Sequence, residues 1–143
     1  MKRALLILAV IAALPAGAIA GRRDLSPANP RPAYCDSGYH AKVYFETNQA
    51  ELSDSSAAAI VDLQTKWIAT CRPKRVMIAG FIDRNERKSV ARARAETIKR
   101  EFQKRGVAAG LLHVDAPGAV NFLQPPPDVH NRRVEITFDY HAA

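Results

Sequence analysis

The sequence predicts a two-layer α/β (α+β) sandwich, with the element order β-α-β-α-β-β and two helices packed on one face of a mixed four-stranded sheet. Three observations predict it. Residues 53–70 and 86–104 repeat apolar side chains at three- and four-residue steps, the period of a half-buried helix. Residues 74–83 form a near-continuous apolar run, as in a strand covered on both faces or central in a sheet. Val134, Ile136, Phe138 and Tyr140 alternate with polar residues, as in a strand with one buried and one wet face. Elements with one apolar face must bury it against another layer, and this order gives one sheet with both helices on one side.

Taken in order, the chain opens with Met1-Lys2-Arg3, the apolar run Ala4–Leu14, and small residues at Ala18 and Ala20. This is the pattern of a cleavable signal peptide over residues 1–20. The apolar run falls short of the ~20 residues that a membrane span needs. The mature chain is therefore expected to start near residue 21, to carry no transmembrane segment and no lipid-acceptor cysteine, and to be free outside the cytoplasm, held only by what it binds. Residues 21–40 hold three prolines and no apolar period, and read as an extended lead-in tied down by Tyr34 and Cys35. Residues 41–140 make one domain. Ala41–Glu46 has strand composition and Thr47–Leu52 is a loop. Ser53 or Asp54 caps a first helix whose buried face is read as Ile60, Val61, Leu63, Trp67, Ile68 and Cys71, and Arg72-Pro73 ends it. Lys74–Asp83 is the second strand. A second helix starts at Glu86 or Ser89, buries Val90, Ala91, Ala95, Ile98 and Phe102, and stops at Gly106. Leu111–Val114 is a short strand, 115–130 a loop with three successive prolines, and Arg132–Tyr140 the last strand.

The signal segment carries two of the 21 basic residues and none of the 14 acidic ones, which leaves the mature chain at +5. Such a surface suits an anionic partner. Export and the lack of any nucleic-acid motif argue against nucleic acid. Cys35 and Cys71 both lie in the exported part, where an oxidising compartment favours a disulfide over two buried thiols. The first helix must carry the chain back along the sheet, so its end at Cys71 should land near the start of the first strand, close to Cys35.

No nucleophile elbow, phosphate loop or metal-ligand spacing is present. His40, His113, His130 and His141 are scattered, and Ser89 has no assignable base. The sequence points to no enzyme, no metal and no cofactor. One pair remains. Asp83 ends the second strand, and Arg94 lies on the sheet-facing stripe of the second helix, four residues from both Val90 and Ile98. A carboxylate and a guanidinium at the mouth of a sheet could receive a zwitterion, the Arg gripping a carboxylate and the Asp an ammonium. The competing interpretation is an ordinary intramolecular ion pair.

These motifs resemble a family. From about residue 41 to 140 the chain is similar to the C-terminal, peptidoglycan-associating domain of outer membrane protein A, shared with peptidoglycan-associated lipoproteins and flagellar motor proteins. Val43-Tyr44-Phe45-Glu46-Thr47-Asn48 looks like the family's opening strand and loop, Gly80-Phe81-Ile82-Asp83 like its Gly-His-Thr-Asp, and Arg94-Ala95 like its helix motif. Asn131-Arg132-Arg133-Val134-Glu135-Ile136 matches the closing strand motif. The resemblance implies a non-catalytic peptidoglycan-binding module of the periplasm, associated with the cell wall or outer membrane, that recognises diaminopimelate in the stem peptide. Asp83 would hold its amino group and Arg94 its carboxylate, with Glu46 and Thr47 lining the pocket. Three departures stand out. Phe81 and Ile82 replace His and Thr, Val90-Ala91 replaces Leu-Ser, and the stretch between Asp83 and Arg94 is about one helical turn short. The family's Tyr-Asn is missing from that stretch, and Asn85 is the candidate substitute for its Asn. The rival is a degenerate member that kept the fold, lost the ligand and uses its basic helix face (Arg92, Lys99, Arg100) to contact other envelope proteins.

Overall fold

The computed structural model describes residues 31–36, 40–52 and 54–141. The expected signal peptide, and residues 21–30 of the lead-in, lie outside the described residues. The regular elements are β1 (His40–Tyr44), α1 (Ser55–Cys71), β2 (Arg75–Phe81), α2 (Ser89–Lys104), β3 (Leu112–Gly118) and β4 (Arg133–Asp139), with short 3-10 turns at Ala33–Asp36, Ala109–Leu111 and Val129–Asn131. The sheet runs β1-β4-β2-β3. β4 is antiparallel to both β1 and β2, and β3 is parallel to β2, so the sheet is mixed as expected.

The register explains the core. Val43 faces Val134, Ile78 faces Ile136, and Val76 lies between Phe138 and Leu112, so these side chains share one face of the sheet. Ala57, Val61 and Ile68 of α1 and Ala95, Ile98 and Phe102 of α2 join the same buried cluster, which puts both helices on that face. β3 is longer than the expected four residues because its pairing with β2 continues past Val114 to Gly118.

Each helix end has a local cause. The Asp54 side chain accepts from the Ala57 amide at 2.8 Å and caps α1, which Arg72 ends with φ at 50°. Gly106, at φ 86°, closes α2, and the Val107 amide reaches back to the Phe102 carbonyl at 3.1 Å. The buried stripe of α1 differs from expectation. It runs Ala57, Val61, Gln64, Ile68, Cys71, in strict steps of four and three, and leaves Leu63 43% exposed. Position in the stripe, not side-chain polarity, decides which residue is inside, so Gln64 is fully buried.

The end of α1 meets the lead-in as the sequence implied. Cys35 and Cys71 form a disulfide with Cα atoms 5.4 Å apart. The Tyr34 ring lies 5.2 Å from Trp67, and Arg31 sits 4.0 Å over the Tyr140 ring. Where β2 meets α2, Gly80 sets the approach: a Cβ there would fall 1.9 Å from the Ala91 carbonyl oxygen. Only glycine lets the first turn of α2 lie against the end of β2. That approach brings Arg94 to the strand end carrying Asp83.

Candidate functional site

Three connections converge at one end of the sheet: the loop after β1, the turn from β2 to α2, and the long loop into β4. Arg94 holds the first two together, and its five N–H groups are all engaged. Nε donates to the Gln49 carbonyl at 2.8 Å. Nη1 donates to the Phe81 carbonyl at 3.0 Å and to Glu86 Oε2 at 2.9 Å. Nη2 donates to the Glu46 carbonyl at 2.9 Å and to Glu86 Oε1 at 2.5 Å. The arginine side chain is 0% exposed and that of Glu86 is 2% exposed. The face of the Phe45 ring lies 5.3 Å from the guanidinium carbon.

Glu86 is as fully matched as its partner. Besides the guanidinium fork, Oε2 accepts from the Asp83 amide at 2.8 Å and Oε1 from the Asn48 amide at 2.7 Å. A carboxylate has about four acceptor positions, and here each is filled. Burial pushes the Glu86 carboxyl up, but the Arg94 hydrogen bonds and the two backbone amides outweigh it and hold the group below its ordinary value. Asn48 makes this possible with φ at 55°, a left-handed conformation that asparagine tolerates, and its side chain accepts from the Arg87 amide at 3.1 Å.

Asp83 serves the third connection. Oδ1 accepts from the Arg84 amide at 2.8 Å and from Asn131 Nδ2 at 3.2 Å, and Oδ2 accepts from the Asp128 amide at 2.7 Å. Asn131 is itself fully buried, with Oδ1 accepting from the amides of Leu123 and Gln124. Asp83 thus ties the end of β2 to the loop that contains the three prolines. Asp83 is buried, and among the described residues Oδ2 has one donor, the Asp128 amide.

Asp83 and Arg94 therefore stand at the same end of the sheet, as the sequence suggested, yet the ion pair of Arg94 is with Glu86. Glu46 and Thr47 are exposed on the first loop and Asn85 is exposed on the turn, beside Arg84, Arg87 and Lys88. Sequence reasoning missed Glu86 and Asn131 as members of the site. Both carried a signal: Glu86 is the one acidic residue between Asp83 and Arg94, and Asn131 opens the motif that continues into β4. Among the described residues, no group of three or more His, Cys, Asp or Glu is placed to hold a metal ion, and no helix is long and apolar enough to cross a membrane.

No curated protein sequence is significantly similar to this chain. Its fold does recur in solved structures. The OmpA-like domain of FopA1 from Francisella tularensis aligns with a TM-score of 0.63 at 14% identity, over 68% of this chain and 70% of that one. The periplasmic domain of Helicobacter pylori MotB aligns at 0.63 and 22%, over 75% and 86% of the two chains. The peptidoglycan-associated lipoprotein of Burkholderia pseudomallei aligns at 0.63 and 16%, over 78% and 98%. At such identities the likeness is one of fold. The model of the OmpA family matches residues 44–133, from the last residue of β1 into the first of β4, and so spans both helices, β2, β3 and all three connections of the site. The chain belongs to the OmpA family.

Proposed function

We propose that this chain is a non-catalytic peptidoglycan-binding module of the cell envelope, exported to the periplasm, which takes the diaminopimelate of the stem peptide at the end of the sheet where Asp83 and Arg94 stand. The observation that carries this reading is the convergence of a carboxylate and a guanidinium on the loop end of an OmpA-family fold, with Arg94 bonded to the carbonyl of Phe81, two residues from Asp83. Asp83 would take the ligand ammonium, and Arg94 its carboxylate. Glu46, Thr47 and Asn85, all exposed around these two, would line the mouth. The names of two relatives support the reading: one is a peptidoglycan-associated lipoprotein, another the cell wall anchor of a secretion system in Pseudomonas aeruginosa.

One observation favours a second reading. All five donors of Arg94 are engaged within the protein and the side chain is closed to solvent, as expected of a member that kept the fold and lost the ligand. Such a member would meet other envelope proteins through the basic face of α2.

Sedimentation with purified sacculi separates the two. On the first reading the wild type pellets with the sacculi, and Asp83→Asn and Arg94→Ala, checked for folding by circular dichroism, stay in solution. A folded wild type that remains in solution, or pellets only at low ionic strength, supports the second, because exposed charge pairing fades once the Debye length falls below ~10 Å. Folded variants that pellet as well as the wild type refute the assigned residues.

A further inference from the structure

The Glu86 carboxylate occupies a complete carboxylate receptor. The fork of Arg94 grips it from one side, and the amides of Asn48 and Asp83 close on it from two other segments. A guanidinium fork with two converging amides is a general device for binding an anion. Here the protein fills it with its own side chain. Glu86 sits between the end of β2 at Phe81 and the start of α2 at Ser89, in neither ladder nor helix. Its neighbours Arg84, Asn85, Arg87 and Lys88 are exposed. Apart from those of the Glu86 carboxylate, the bonds of this turn among the described residues are the Arg84 amide to Asp83 Oδ1 at 2.8 Å, the Glu86 amide to the Asp83 carbonyl at 3.2 Å, the Val90 amide to the Arg87 carbonyl at 3.0 Å, the Arg87 amide to Asn48 Oδ1, and Arg87 Nη2 to the Asn48 carbonyl at 3.4 Å; only the last two reach beyond the turn and the start of α2. The turn can therefore swing outward while the sheet and α2 stay intact. Arg94 would keep its place, since carbonyls of Gln49, Phe81 and Glu46 hold the guanidinium without Glu86, and Asn48 would give up its bonds to Arg87 but stay in a loop closed by the Gln49 amide on the Glu46 carbonyl at 3.1 Å and by Arg94 on the carbonyls either side of it.

We infer that Glu86 is an internal competitor: the receptor made by Arg94, Asn48 and Asp83 exchanges the Glu86 carboxylate for an external one, and ligand binding opens the turn that carries Glu86. This rests on the proposed function for the identity of the natural ligand, a carboxylate of the wall peptide, though not for the receptor itself.

The test uses propionate, a free carboxylate with the three carbons of the Glu86 side chain, on the variant Glu86→Ala. In that variant the receptor is empty and Arg94 lacks its counter-ion. Propionate should then raise Tm with the logarithm of its concentration, by roughly 5 °C at about tenfold its Kd. Chloride at equal ionic strength, and neutral propionamide, should leave Tm unchanged. Glu86→Ala/Arg94→Met should not respond to propionate. If Glu86→Ala folds poorly, Glu86→Gln keeps the shape of the side chain and gives a second measurement, its retention on sacculi. Removal of the competitor should tighten sacculus binding by Glu86→Gln about tenfold or more relative to wild type, equivalent to ~1.4 kcal/mol. No Tm response to propionate overturns the receptor, as does wild-type binding to sacculi that Glu86→Gln leaves equal or weaker. A propionate response in a protein that ignores sacculi, as wild type and as variant, sustains the receptor and refutes the peptidoglycan reading alone.

Discussion

The Glu86–Arg94 pair is the most heavily matched polar contact of the site, and its energetics can be worked from its geometry. Removal of either partner leaves a buried charge. In Arg94→Met, a carboxylate that is 2% exposed keeps only two amides, and the carbonyls of Glu46, Gln49 and Phe81 lose their donor. In Glu86→Leu, a fully buried guanidinium keeps only three carbonyls, and the Asn48 and Asp83 amides lose their acceptor. Breaking a buried pair from one side costs about 3–5 kcal/mol, so the two single losses sum to about 6–10 kcal/mol. The double variant removes both charges and leaves only five neutral backbone groups unpaired. At about 1 kcal/mol each, this is about 5 kcal/mol. The cycle should therefore show a coupling of about 1–5 kcal/mol, with the double variant more stable than the sum of the singles predicts. Urea unfolding of the four proteins, followed by far-ultraviolet circular dichroism, measures it. Additivity within ~0.5 kcal/mol would mean that the two groups are solvated or independent, and the closed site described above would be wrong.

Three further outcomes follow from particular residues. Gln64 is fully buried on α1 and neither its Nε2 nor its Oε1 has a protein partner, so Gln64→Met, which keeps the volume and removes both polar atoms, should stabilise the domain by about 1–3 kcal/mol; an unchanged or lower urea midpoint counts against this. The Cys35–Cys71 bridge closes a loop with a sequence separation of 36, and its loss in C35S/C71S should lower stability by about 3–4 kcal/mol, read as a drop in Tm and in urea midpoint. The Glu86 carboxyl is held below its ordinary value of 4.5 in the folded protein, so the unfolded chain takes up this proton first as pH falls. The stabilisation from this group is complete above 4.5 and fades as pH drops through the lower, folded value. The stability gap between wild type and Glu86→Gln should accordingly be flat above that pH and narrow below it, and a gap that widens in acid would contradict the assigned bonds.

The fold was legible because its signals are local and mutually consistent. The whole expected apolar stripe of α2 is buried, β4 buries the side that alternation marks, and the return of the chain along α1 brings Cys71 to Cys35. The errors have identifiable causes. Leu63 and Gln64 are neighbours, and hydrophobicity alone chooses the wrong one, whereas the rigid step of the helix chooses Gln64 because Ala57, Val61 and Ile68 fix the stripe. The wet side of β4 is also drier than alternation implies. Arg133 is 1% exposed, stacked 4.1 Å from the Phe81 ring and bonded to the Asn121 carbonyl, because the long loop folds back over it. Alternation reports which side of a strand faces the core, not what a distant loop covers.

The site was half legible for the same reason. Arg94 and Asp83 could be placed at one end of the sheet from the ends of regular elements, but the partner of Arg94 is decided by irregular backbone. Glu86 reaches it only because its amide bonds back to the Asp83 carbonyl in a tight turn, and because Asn48, 38 residues away in sequence, adopts a left-handed conformation that turns its amide inward. The short span between Asp83 and Arg94, visible in the sequence as a departure from the family pattern, has its physical meaning here. A turn of this length directs its one carboxylate back under the strand end toward the guanidinium. The length of the turn and the closure of Arg94 are thus coupled in this chain, and lengthening the turn by a few residues after Asp83 should release Glu86 from the fork while Gly80 still holds α2 against β2.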